Sequence, residues 1–351
     1  MPSQSDVARL ANVSFMTVSR VVNNDPRVKE ETRERVLRVI REIGYYPNAA
    51  ARALNRRKAM TVGLVLPRDE YVLSEPYFTQ LIYHIERLLV PHGYGLLLIA
   101  GDGSAERDVT VAFRQRTVDG LIVLGSPIGD ERLEAISRNR IPTVLMHASS
   151  ELPWISWVDI DNEAMIGYFL NYLAELSHEL IGFIAGDLTV LDARQRLDSF
   201  RTLLERRGRR FDEHLVYRGD WSSNAGFGAY RYFASLEPRP TAVISSNDHM
   251  AIGFIKAAHE AGERIPDDVS IVGIDDIEMA SFTTPALTTM RQPMSEIAAA
   301  AVDSLMTSMG RESAWEAHTV LSAEPVIRNS CGPAAGGRAL PRQQNLQTPG
   351  S

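Results

Sequence analysis

The spacing of apolar positions changes character near residue 60. Before it, three short stretches repeat apolar residues at helical intervals: Asp6 to Ala11, Phe15 to Asn23, and Lys29 to Gly44, the last through Val36, Ile40 and Ile43. Ser14 stands where an N-cap would open the second helix, Pro26 punctuates the loop after it, and Gly44 is placed to stop the third. Tyr45-Tyr46-Pro47-Asn48 leads into A-A-A-R-A-L-N-R-R-K, which favours helix but is too short to hold one alone in water. From Thr61 onward short apolar runs alternate with amphipathic stretches, the pattern of βα units around a parallel sheet. It predicts strands over Val62 to Leu66, Gly95 to Ala100, Gly120 to Leu124, Thr143 to Met146, Ile181 to Ala185, Ala242 to Ser245 and Ser270 to Ile274. Helices fill most gaps: Tyr77 to His92, Glu106 to Arg116, Glu163 to Leu176, Arg196 to Arg207, Ser223 to Ser235 and Asp248 to Ala261. The series pauses near Trp157-Val158-Asp159-Ile160-Asp161 and resumes, which suggests two similar lobes with a ligand cleft between them.

The expected organisation is a trihelical unit over 1–46, a conditional hinge over 47–60, an α/β core over 61–330 and a Gly-, Pro- and Gln-rich disordered tail over 331–351. A length of 351 residues supports more than one packed unit, and 44% hydrophobic with 23% charged residues is ordinary globular composition. No run approaches the roughly 18 apolar residues of a membrane helix, and the N-terminus lacks a basic stretch followed by an apolar signal core. A cytoplasmic location follows as the expectation. The lone Cys331 excludes an internal disulfide and reads as an inert surface thiol.

Charge sharpens the division. Residues 1–60 hold 12 Lys or Arg against six Asp or Glu, a balance of +6, whereas the rest carries 25 against 38, or −13. A basic head on an acidic body confines polyanion binding to one end. Within that head, D-V-A-R-L-A-N-V-S-F-M-T-V-S-R-V-V-N reads as a helix-turn-helix, with a tight connection through Asn12-Val13.

The ordered series D-V-A, V-S-x-x-T-V-S-R-V-x-N, V-x-x-x-T-R-E-R-V, G-Y-x-P-N and A-x-x-L resembles the head of the lactose-repressor (LacI/GalR) family over about 55 residues. The resemblance implies that Phe15, Met16 and Arg20 face the bases, with Ser5, Thr17, Ser19 and Asn23 nearer the DNA backbone. Arg20 suits bidentate pairing with guanine. Phe15 and Met16 replace residues that are polar or small in many relatives; they can pack on thymine methyls or exclude wrong bases, and the bland alternative makes one of them core of the head. Leu54 would sit on a hinge helix as a minor-groove wedge, with Asn48 and Ala51 close to the backbone. The same hinge also reads as a plain linker.

The resemblance continues through V-D-G-L-I-V, R-L-D-S-F, G-D-W-S, S-N-D-H-M-A-I-G, I-P-D-D-V-S-I-V-G-I-D-D and F-T-T-P-A-L-T-T-M-R-Q-P. It implies a two-lobed, periplasmic-binding-protein-like (type I) core with parallel sheets. Ligand contacts would come from Ser126, Asp161, Arg196, Trp221, Asn247, Asp275 and Gln292, with Tyr77 and Phe78 near the cleft mouth. Such a set suits a sugar, because carboxylates, an amide and a guanidinium share hydroxyls while an indole packs on a pyranose face. Bland readings stand beside it: Asp275 and Asp276 as helix caps, Trp221 as core, Arg196 as one of several cations on a solvated face with Arg194 and Arg201.

Eight scattered histidines show no H-E-x-x-H spacing, and no P-loop, nucleophile elbow or dinucleotide fingerprint is found, so neither catalysis, a metal nor a cofactor is expected. The expectation is a homodimeric repressor that binds a pseudo-palindromic operator in double-stranded DNA under control of a small effector, a sugar. A purine, nucleoside or co-repressor response remains the alternative, and a sugar-binding protein without a DNA role the more distant one.

Overall fold

The computed structural model describes residues 2–22, 25–45, 58–67, 76–100 and 105–334, with backbone alone at 100 and 105–108. The head is three helices, α1 (Gln4–Leu10), α2 (Phe15–Val22) and α3 (Glu30–Ile43). Helix α1 starts two residues before the pattern predicts, because Ser3 and Asp6 form a capping box: Asp6 N–H donates to the Ser3 hydroxyl and Ser3 N–H to the Asp6 carboxylate. Ser14 caps α2, its hydroxyl accepting Thr17 N–H at 3.1 Å. Gly44 ends α3 with φ 62°, a backbone state that glycine adopts without steric cost. Val7, Ala8, Ala11, Val18, Val21, Val36 and Val39 form the small core between the helices.

The first lobe holds β1 (Thr61–Leu66), α4 (Pro76–Leu89), β2 (Gly95–Ala100), α5 (Ala105–Arg114), β3 (Gly120–Leu124), α6 (Glu131–Arg138), β4 (Thr143–Met146) and β5 (Ile155–Ile160). The second holds α7 (Asn162–Glu175), β6 (Ile181–Ala185), α8 (Leu191–Arg206), β7 (Val216–Arg218), α9 (Ser223–Ala234), β8 (Ala242–Ser245), α10 (Asp248–Glu260), β9 (Ser270–Asp275), α11 (Glu278–Phe282) and β10 (Thr288–Arg291). The chain then returns to the first lobe for α12 (Met294–Met309) and β11 (His318–Leu321), and to the second for β12 (Glu324–Val326). The strand orders are β11-β5-β4-β3-β1-β2, all parallel, and β12-β10-β9-β8-β6-β7, parallel except for β12. Strands β3, β4, β6, β8 and β9 are buried along their whole length, as parallel strands covered on both faces must be.

Three crossings therefore join the lobes, at β5 to α7, β10 to α12 and β11 to β12. This corrects the pause expected near Trp157: Ile155–Ile160 is an inner strand between β4 and β11, and its polar residues Ser156 and Asp159 are themselves buried. In the second lobe α9 and α10 cross closely at Gly226 and Gly253, where a Cβ would run into the Met250 and Ser223 backbones.

The chain beyond Val326 stays packed as far as Ala334. Ser330 donates to Ile271 O at 2.6 Å and accepts from Thr288 N–H at 2.8 Å; Ala334 N–H reaches Leu176 O at 2.9 Å. Cys331 is thus a half-buried thiol donating to Ile271 O at 3.2 Å, not a surface group, and burial pushes it up to about 12. Residues 335–351, read as tail, lie outside the described residues. Among the described residues no helix is long and apolar enough to cross a membrane.

Candidate functional site

Two regions gather the side chains singled out above. In the head, Asn12 takes φ 52° to turn the chain between α1 and α2, and Val13 N–H bonds Ala8 O at 3.0 Å. Val18 and Val21 anchor α2 from behind, which leaves Phe15, Met16 and Arg20 exposed on its opposite face. Neither Phe15 nor Met16 enters the head's core, so the reading that made one of them core is overturned. Gln4 donates to Phe15 O at 3.4 Å, tying the start of α1, where Ser5 is exposed, to the start of α2. Thr17 pairs with the capping Ser14 hydroxyl at 2.8 Å, and Ser19 is half-buried. Not every cation of the head is offered outward: Arg33 donates to Asp25 O and Arg35 to Ala11 O. Asn23, Asn48, Ala51 and Leu54 lie outside the described residues.

The second region sits at the carboxyl ends of the strands, between the lobes. Tyr77, on the first turn of α4, is buried; its hydroxyl lies 2.5 Å from His147 Nε2 and donates to Gln292 Oε1 at 3.1 Å. Gln292 in turn donates from Nε2 to Asp275 at 2.7 Å. Since the tyrosine proton goes to Gln292, His147 donates from Nε2, and its Nδ1 is a buried acceptor with no partner among the described residues. Burial pushes His147 down to about 4, so the ring is neutral.

A second chain of bonds starts at Arg196, which is 2% exposed. Its Nε donates to Asn162 Oδ1 at 2.9 Å, Nη1 to Ser246 O at 2.5 Å, and Nη2 pairs with Asp192 at 2.7 Å, while the guanidinium lies over the Trp221 ring. Asn162 Nδ2 closes the group on Asp192 and Gln195. Asp159 is buried beside it and pushed up to about 7, first by burial and then by the Asp192 charge. Asp275 and Asp248 are raised in the same sense: both are buried, Asp248 also feels the Asp275 charge, and Asp248 accepts from the Thr289 hydroxyl and Ile277 N–H. The cluster is therefore rich in carboxyl groups with one guanidinium whose bonds are largely internal.

Of the residues singled out from sequence, the structure brings Tyr77, Arg196, Trp221, Asp275 and Gln292 together. Arg196 belongs to no solvated face; Arg194 is exposed and Arg201 pairs with Glu213. Trp221 holds φ 73°, and its indole lies against Gly186, where any Cβ would collide with the ring. Neither Asp275 nor Asp276 caps a helix: Asp275 serves Gln292, and Asp276 binds Arg291 and Arg328. Asn247 is buried as the N-cap of α10 and also donates to Trp221 O, so it braces the tryptophan. Asp161 caps α7 through Ala164 N–H, and its neighbour Asn162 is the one bonded into the cluster. Ser126 donates to Asp130 at 2.6 Å beside a cavity of about 440 Å³ that Ile128, Leu133, Ala148 and Leu191 also line. Phe78 meets Tyr77 edge to face, at 84°. Sequence reading missed His147, Asn162 and Asp192; the available signal was their place just past a strand end or on the first turn of the helix that follows.

Comparison with known proteins covers both regions. Residues 4–48 match the family model described as bacterial regulatory proteins of the lacI family, and residues 170–331 match a periplasmic binding protein-like domain. The ribose operon repressor of Escherichia coli K12 is 35% identical over 312 residues, 87% of this chain and 92% of its own. The transcriptional repressor CytR of the same strain is 32% identical over 343 residues, 97% of either chain. Among solved structures, the lac repressor dimer bound to operator and the anti-inducer ONPF superposes with a TM-score of 0.83 at 29% identity, covering 94% of this chain and 99% of that one. The regulator CelR in complex with cellobiose gives 0.73 at 29% identity over 94% and 100%.

Proposed function

The chain belongs to the LacI family of bacterial regulatory proteins, and on that premise we propose that it is a cytoplasmic transcriptional repressor whose hold on a pseudo-palindromic operator is set by a sugar in the interlobe cleft. It regulates rather than catalyses. The observation that carries this reading is the wiring of the crossings. Asn162 stands at the crossing from β5 to α7 and Gln292 at the one from β10 to α12, and both are bonded into the buried cluster. A ligand seated there touches the very segments about which the lobes turn, so differential affinity for two lobe arrangements becomes a force on the head.

Two copies related by a two-fold axis would present two heads to two half-sites, and the hinge bearing Leu54 would enter the minor groove between them. Ser5, Thr17, Ser19, Asn23, Asn48 and Ala51 would hold the backbone. Ligand closure would turn the lobe attached at Thr61, part the hinges and release DNA. For the ligand, the half-buried Trp221 supplies an aromatic ring beside Arg196, while the neutral His147 Nδ1 and the carboxyl groups of Asp275 and Asp159 meet hydroxyl donors. Tyr77 and Phe78 meet at 84° rather than as parallel plates, which favours a sugar over a stacked purine or nucleoside base. A fluorescence-anisotropy titration of the protein on its own promoter, repeated across sugars, nucleosides and purines, tests the reading. A salt-sensitive, sequence-selective complex released by a sugar is expected; selective binding that answers only to nucleosides or purines would overturn the sugar, and no selective binding would overturn the repressor.

A further inference from the structure

The exposed pair at the start of α2 carries a second conclusion, which rests on the head binding DNA as proposed. Phe15 is 56% and Met16 60% exposed, although the head's core closes without either. They are the first two residues of α2, the end of a recognition helix that meets base edges in the major groove. Val18 and Val21 fix the opposite face of the helix, so neither side chain can turn inward without unseating it. Two large apolar groups standing in water on a head of charge +6 contribute nothing to folding there.

In the major groove, three kinds of base-edge group are hydrogen-bond donors or acceptors; the one apolar group is the C5 methyl of thymine. Phe15 and Met16 have no side-chain donor and no strong acceptor, and so gain most from that methyl. Consecutive helix residues point about 100° apart, so the two reach different bases rather than the same one. We propose that Phe15 and Met16 form a paired methyl reader that selects two thymines, one for each side chain, in every operator half-site. Arg20, a turn further along the same exposed face, leaves hydrogen-bonding readout to a third base pair.

The test is selection of binding sites from a random duplex library with the full-length protein, followed by resynthesis of the enriched site with single thymines replaced by deoxyuridine. That change deletes one methyl group and leaves every hydrogen-bonding edge intact. Two positions per half-site should each lose about fourfold in affinity, the equivalent of about 0.8 kcal/mol for one buried carbon. Phe15→Ala should erase the deoxyuridine penalty at one position and Met16→Ala at the other, and both residues are exposed enough for the variants to fold. Placing 5-methylcytosine at those positions should bind better than cytosine. An enriched site indifferent to deoxyuridine would overturn the proposal while leaving sequence-selective binding in place. So would penalties that persist unchanged in both variants. Failure to enrich any sequence would instead overturn the repressor reading and this proposal with it.

Discussion

In the head, Phe15, Met16 and Arg20 stand in solvent, and the valines behind them do the holding; in the cleft, Arg196, Gln292 and Tyr77 are buried, the arginine bonded to Asn162, Asp192 and Ser246 and the other two to each other and to Asp275 and His147. On the function proposed above, the head keeps stability and recognition largely in different residues. The cleft merges them, because a buried guanidinium or amide that loses its partner is left with an uncompensated desolvation cost. A substitution at Phe15, Met16 or Arg20 should therefore change which DNA is bound and little else, whereas one in the cleft should change both response and folding.

The largest effect expected from this contrast comes from Arg196→Ala. It strands Asp192 and Asn162 inside the cluster, and should remove about 3 to 5 kcal/mol from urea-measured stability of the core together with the ligand response. Loss of the response at unchanged stability would show that the cleft separates its roles as the head does. Next in size, Arg20→Ala should cost about 1 to 3 kcal/mol of discrimination at one base pair in competition binding, with the unfolding curve superimposable on the parent's. A shifted unfolding midpoint would break the comparison from the other side. Ser14→Ala removes the cap of α2 and should take about 1 kcal/mol from the head alone, read as faster amide exchange in residues of α2 with none in the lobes.

The smallest effect is in pH, where cleft groups oppose one another. Burial lifts Asp159 from the usual 3.8 to about 7, so its contribution to stability is complete at low pH and is lost as pH rises through that value. His147 is depressed from 6.5 to about 4, so its contribution is present above 6.5 and is lost as pH falls. Between about 4 and 6.5 the two slopes have opposite signs. His147→Gln removes one of them, and stability should then fall more steeply with rising pH across that window. A shallower fall would mean that the imidazole does not titrate as its burial demands.

The same contrast decides what could be read from the chain. The head's helices were legible because each is fixed by neighbours in sequence: the Ser14 cap, Gly44 at its positive φ, and apolar residues a turn apart. The apolar strands of the lobes were legible too, since β1, β3 and β4 bury nearly continuous hydrophobic runs. Strand β5 was not, because Ile155–Ile160 buries Ser156 and Asp159 and so interrupts the pattern that marks an inner strand. Strand β10 hides Thr288 and Thr289 in the same way, and α12 buries Ser304 and Ser308 among its apolar residues. These elements flank the crossings, where buried polar groups find partners far along the chain. His147 and Asn162 were missed for that reason: the first meets Tyr77 70 positions away and the second Arg196 34 positions away.

The packed chain end has one practical consequence. The only cysteine, Cys331, sits between Ser330 and Gly332, which are bonded to Ile271, Thr288, Ser270 and His178. Its thiol is half-buried, and the same burial holds it protonated; both slow alkylation. A thiol reagent added to the native protein should react faster when that strap lifts from the second lobe. The chain therefore carries an unengineered covalent reporter, whose alkylation rate should respond to openings of its C-terminal edge with and without whatever occupies the cleft.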